Sequence, residues 1–192
     1  MIPTQRFEQV EVASLNDLRQ WLAVNHARKE GVWLVRFKKN VPAKFIDRLE
    51  VIDELLCYGW VDGLGRKLDT DRTMQLISPR QQQAWALSYK ERVARLEAAG
   101  RMEQPGRAAI ERSKKLGMWD AYAPVDALLV PDDLRSALRK TDGAERFFDG
   151  AAPSYRRNVL RWVAQAKKPE TRAKRIASAV ELSARAEKVP QM

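Results

Sequence analysis

Apolar residues recur at helical spacing in the middle of the first half of the chain, where Phe45, Leu49, Ile52 and Leu56 follow one another at steps of four, three and four. That is the stripe an amphipathic helix lays against a core. Asp47, Glu50, Glu54 and Cys57 fall on the other side, where the carboxylates are expected to meet solvent and Cys57 to be a packed thiol. An earlier helix is marked by Leu15, Leu18, Trp21 and Leu22, with Ser14 and Asp17 as its N-terminal cap and its end before Gly31. Between the two, Val32-Trp33-Leu34-Val35-Arg36-Phe37 is dense in branched and aromatic side chains and predicts a strand. Phe7, Val10 and Val12 suggest another short strand. After a turn region over Gly59–Gly65, Lys67-Leu68 and Thr73–Ser78 predict two more, joined through Asp69-Thr70-Asp71 and stopped by Pro79.

From about residue 83 every segment has helical spacing. The expected helices are 84–99, 105–116, 131–140, 143–149, 154–166 and 169–186, with Pro105, Pro131, Pro153 and Pro169 placed where a first turn tolerates a missing amide. The pattern therefore predicts an α+β fold. A small mixed-sheet lobe with two helices covers residues 1–80, and an all-helical lobe covers 81–192.

Composition narrows the function classes. A chain of 192 residues, 45% of them hydrophobic, buries about 70% of its extended surface and folds on its own. The N-terminus shows no basic leader followed by an apolar core, and no later run approaches the roughly 18 apolar residues of a membrane span, so a cytoplasmic protein is expected. Cys57 is the only cysteine and His26 the only histidine. An intramolecular disulfide is impossible, a structural zinc site is close to excluded, and no cofactor or metal is called for. No nucleophile and base, phosphate loop or metal cluster assigns a reaction.

The net charge of +10 is uneven. Residues 1–80 carry 13 basic and 11 acidic residues, whereas 153–178 hold Arg156, Arg157, Arg161, Lys167, Lys168, Arg172, Lys174 and Arg175 against Glu170 alone. Helical spacing puts Arg157 and Arg161 on one outward face, Arg172 and Arg175 on the next helix, and Lys168 at its start. Such a surface suits an anion or a nucleic acid, with Tyr155 or Trp162 for base stacking. Both aromatics also fall on the apolar stripe, so a solvated basic face is the plainer outcome.

The best candidate site lies between the lobes. Trp60 and Trp85 stand at the two ends of the connecting segment, and Asp62 and Arg80 lie within it with opposite charge. Apolar walls with a few placed polar groups are what ligand sites share. An anionic or amide-bearing ligand would be clamped by Arg80, oriented by Asp62 and stacked on an indole. The plainer alternative makes both indoles core and pairs Asp62 with Arg80. Glu50 and Glu54, four apart on one helix, do not face each other across a substrate as an acid and base must, and Cys57 lacks an evident base.

Several segments resemble the YdeI/OmpD-associated family. They are Trp21-Leu-Ala-Val-Asn25-His26, Gly31-Val-Trp-Leu, Leu56-Cys-Tyr-Gly-Trp-Val-Asp62-Gly63, Ser78-Pro79-Arg80, and Tyr155-Arg-Arg followed by Trp162 and Ala166-Lys-Lys-Pro-Glu-Thr171-Arg. Around Trp85 this chain has Gln83, Ala84, Ala86 and Tyr89 where the family usually places hydroxyl residues and an asparagine. The resemblance implies a part in bacteriocin protection and resistance to cationic antimicrobial peptides, with no catalytic residues to carry over. The expected function is then a cytoplasmic stress- or antimicrobial-protection protein that binds a small or peptidic ligand without turnover. Nucleic-acid binding through the basic helices 154–186, or an enzyme at the cleft, are the alternatives.

Overall fold

The computed structural model describes residues 6–190. It divides into two compact units, Met1–Asp120 and Ala121–Met192, so the division falls at 120/121 rather than at 80/81. Helices expected to open the helical lobe instead complete the first unit.

That unit runs β1 (Gln9–Glu11), α1 (Leu15–Asn25), β2 (Val32–Phe37), a short turn of helix at Pro42–Lys44, α2 (Arg48–Cys57), β3 (Trp60–Lys67), β4 (Arg72–Pro79), α3 (Leu87–Ala98) and α4 (Gln104–Lys115). The four strands form one mixed sheet in the order β1-β2-β4-β3. β1 and β2 are parallel and joined through α1, as a parallel pair requires, while β2–β4 and β4–β3 are antiparallel. β3 begins at Trp60, so most of the expected turn region is strand, with a bulge between Asp62 and Gly65.

Local chemistry fixes the helix starts. Ser14 accepts a hydrogen bond from the Asp17 amide at the head of α1. Asp47 caps α2 by accepting from the Leu49 amide at 2.7 Å, and Glu50 returns a carboxylate to the Asp47 amide at 3.3 Å. Glu50 is thus part of a cap.

α2 departs most from its pattern. Every residue from 51 to 60 is buried, Glu54 and Cys57 included, while Leu49 from the expected core stripe is 52% exposed. The reason is that α2 has neighbours on more than one side: the sheet and α1, and also α3 and α4. Gly106 lets α4 approach within backbone contact, since a Cβ there would overlap the carbonyl oxygens of Leu56 and Cys57. Gly59 turns the chain out of α2 with φ +72, and a Cβ on it would meet Ala109 and Pro105 at 2.8 Å.

The second unit is α5 (Ala123–Asp126), α6 (Asp132–Arg139), α7 (Ala144–Gly150), α8 (Pro153–Ala164) and α9 (Pro169–Ala184). Leu134, Leu138, Phe148, Val159, Val163 and Ala179 centre its core. Among the described residues, no helix is long and apolar enough to cross a membrane.

Candidate functional site

Antiparallel register brings a row of polar side chains to the helix-covered face of the sheet. Gln75 of β4 pairs with Leu34, Asp62 of β3 pairs with Ile77, and Arg36 follows Leu34 two residues along β2. Leu34 and Ile77 belong to the main apolar core. Opposite residues in a ladder share a face, so Arg36, Gln75 and Asp62 face that core as well.

Asp62 is the acceptor at the centre of this layer. It takes hydrogen bonds from Gln75 Nε2 at 3.0 Å, from the exposed Arg48 at 2.9 Å, and from the Tyr89 hydroxyl at 2.5 Å. Burial and this bond to Asp62 push the Tyr89 phenol up to about 12. Tyr89 reaches in from α3, and its ring also lies 5.4 Å from the Arg80 guanidinium.

Arg80 is held by its backbone. Its amide donates to the Gly59 carbonyl at 2.9 Å, and its own carbonyl accepts from Arg112 of α4 at 2.9 Å. The side chain is 2% exposed. Its guanidinium stacks on Trp85 at 4.0 Å and reaches only the Gln83 carbonyl, at 3.4 Å. No carboxylate among the described residues comes within ion-pair distance of it. Burial consequently draws its pKa down to about 10, with the charge of Asp62 a smaller, opposing influence.

The layer also concentrates buried polar atoms without a partner in the protein: Arg36 Nε, Gln75 Oε1, Arg80 Nε and Trp85 Nε1. Nearly all buried polar atoms in folded proteins are hydrogen-bonded. At Arg80 and Trp85, two unmet N–H donors and an uncompensated positive charge lie together, a combination complementary to a small anion.

Three of the four residues singled out from the sequence meet in this arrangement: Arg80 stacks directly on Trp85, and Asp62 joins them through Tyr89. Asp62 pairs with Arg48, and Arg80 has no carboxylate. Trp60 points elsewhere: it packs edge-on to Trp21 at 5.4 Å and donates Nε1 to the His26 carbonyl at 3.3 Å. All four lie inside the first unit. Sequence reasoning missed Tyr89, Arg48, Gln75 and Arg36. Two-residue alternation along β2 and β4 would have put Arg36 and Gln75 on one face, but no local signal ties Tyr89 to Asp62.

The remaining chemical groups are occupied. Burial, with Glu54 nearby, pushes the Cys57 thiol up to about 11. Glu54 is 3% exposed and bridged by Arg19 and Arg101, and Asp53 accepts from Arg92 at 2.8 Å and Arg95 at 2.6 Å. His26 ends α1 with its ring nitrogen 2.9 Å from the Ala23 carbonyl. Asp69 accepts from the amides of Asp71 and Arg72, which is turn chemistry. Among the described residues no cluster of His, Cys, Asp and Glu could hold a metal ion.

In the second unit the four arginines singled out from the sequence are each tethered to neighbouring groups. Arg157 donates to the Asp126 carbonyl at 3.3 Å, Arg161 lies over Tyr122 at 5.4 Å, and Arg172 forks onto Asp133 at 2.6 and 2.9 Å. Arg175 bonds the Trp162 carbonyl and covers its ring. Lys168, exposed, caps α9 without a side-chain bond.

A family model described as a domain of unknown function (DUF8412) matches residues 10–109. A second, described as bacteriocin-protection, YdeI or OmpD-associated, matches residues 127–186. The N-terminal segments that resembled the latter family therefore fall under the other model. Neither the curated proteins nor the solved structures contain a significant match.

Proposed function

Because the chain belongs to the family of the domain of unknown function DUF8412 and carries a bacteriocin-protection, YdeI or OmpD-associated domain over 127–186, we propose that it is a cytoplasmic protection protein that sequesters a small anion without turnover. The ligand is held at Arg80, beside Trp85, with the Tyr89 ring 5.4 Å from the guanidinium and its hydroxyl bonded to Asp62.

One observation carries this reading: Arg80 is almost fully buried with no carboxylate against it. An unpaired buried charge costs several kcal/mol, on the order of 3–5 when a partner is removed from a buried pair. A carboxylate or phosphate would offset that cost and satisfy the idle Arg80 and Trp85 donors. The absence of turnover is supported by the chemistry nearby, since the only thiol is held protonated and the buried acids are each engaged by two arginines.

The test is thermal unfolding of the purified chain with acetate, phosphate, sulfate and amino acids in turn. An anion at about 100 times its Kd stabilises the fold by about 2.7 kcal/mol. Arg80→Met removes that gain. The proposal fails if no anion raises the Tm, or if the rise persists in Arg80→Met. Cell fractionation checks the location.

A further inference from the structure

Helices α3 and α4 of the first unit leave a groove of about 340 Å³ between them. Its walls are Val93, Ile110 and Trp119; the two aliphatic side chains are each 6% exposed, and Trp119 is half-buried. Trp119 rests against Trp85, with ring centres 4.9 Å apart. Four charged residues make the rim, and they neutralise one another. Arg107 grips Glu97 at 2.9 and 3.0 Å, and Lys114 meets Glu111 at 2.8 Å.

We propose that this groove binds a small neutral molecule carrying one aromatic ring, seated among Val93, Ile110 and Trp119. Three observations select that class. The volume lies near the low end of the roughly 300–1,000 Å³ of ligand sites, enough for a substituted ring but not for a helix about 10 Å across. Each rim charge already has its opposite, so an ionic occupant would leave water without gaining an unengaged counter-charge. The one large wall is an indole, and a second ring packs edge-on or offset against it more favourably than an aliphatic group does.

This site touches the Arg80 layer through the Trp85–Trp119 contact but is a separate binding site, and it stands or falls without an anion at Arg80. The decisive experiment is an NMR titration of the full chain with phenol, benzoate and benzylamine, following the Trp119 indole N–H. Phenol is expected to give a saturable shift, and the two ions to bind about tenfold more weakly or worse. Trp119→Leu keeps an apolar wall and weakens phenol about tenfold. Lys39→Ala, in the loop after β2, changes phenol affinity by less than about twofold. The inference is overturned if phenol fails to saturate, if either ion matches it, or if a folded Trp119→Leu binds phenol as well as the parent. A loss of phenol binding in Arg80→Met would overturn the separation of the two sites. Should Trp119→Leu not fold, the comparison of the three probes on the unaltered chain decides alone.

Discussion

Asp53 and Glu54 leave the middle of α2 as buried anions, and each is met by two arginines; Arg80 leaves the end of β4 as a buried cation and meets two rings and one distant carbonyl. Both arrangements sit in one unit and on one core. The acids bind elements together: Asp53 ties α2 to α3, and Glu54 ties it to α1 and to Arg101 in the segment between α3 and α4. The guanidinium packs on Trp85 and Tyr89, as an apolar side chain of similar length could, and adds a single long bond to the Gln83 carbonyl. A buried charge kept without a carboxylate is the observation on which the proposed anion site rests.

Breaking the satisfied side should cost most. Glu54→Ala leaves Arg101 without its carboxylate and Arg19 with Glu103 alone, and loss of a buried partner typically costs about 3–5 kcal/mol. Both arginines are a third or more exposed and can turn back to water, so a loss near 3 kcal/mol is expected in chemical denaturation. Breaking the unsatisfied side should do the opposite. Arg80→Met is expected to stabilise the ligand-free chain by about 1–2 kcal/mol, since replacing buried charge by packed apolar groups is often favourable. A loss of stability there would show that Arg80 has a structural role and would erase the contrast.

Tyr89→Phe sharpens the link between the two polar centres. It removes one of three bonds to Asp62 while Arg48 and Gln75 remain, and about 1 kcal/mol of stability should go with it. The smallest effect is alkaline. The folded Cys57 keeps its proton up to about pH 11, whereas the unfolded thiol releases it near 9.0. The unfolded state therefore binds fewer protons in that window, and stability falls as pH rises through it. Cys57→Ser should flatten that fall by on the order of 1 kcal/mol between about pH 8 and about pH 10.5.

Much of the architecture was legible. Ser14 and Asp17 mark the head of α1, Val32–Phe37 is a strand, and each of Pro105, Pro153 and Pro169 sits in the first turn of a helix. α2 was misjudged because periodicity assumes one dry side and one wet side, and a helix walled by two further helices has no wet side to speak of. Glu54 read as solvent-facing for that reason, whereas Cys57, expected as a packed thiol, is one. In α9, helical spacing groups Ala173 and Ala177 with Ile176 and Val180, yet only Ile176 and Val180 are buried, while Ala173 and Ala177 are exposed and Ala179 takes the inner position. Small residues barely register in an apolar pattern. The candidate site was legible as a set of residue types and illegible as a network, because Asp62 meets Tyr89 across 27 positions of chain, and neither residue announces the other.

The unbroken burial of residues 51 to 60 carries a consequence for how the molecule opens. Amide hydrogens escape into heavy water only when their segment loosens, and segments in the densest surroundings loosen last. The stretch from Val51 to Leu56 should therefore retain its protons after the edge strand β1 and the tip at Asp69–Asp71 have traded theirs for deuterium, and that slow patch would serve as a clock for the whole first unit coming apart.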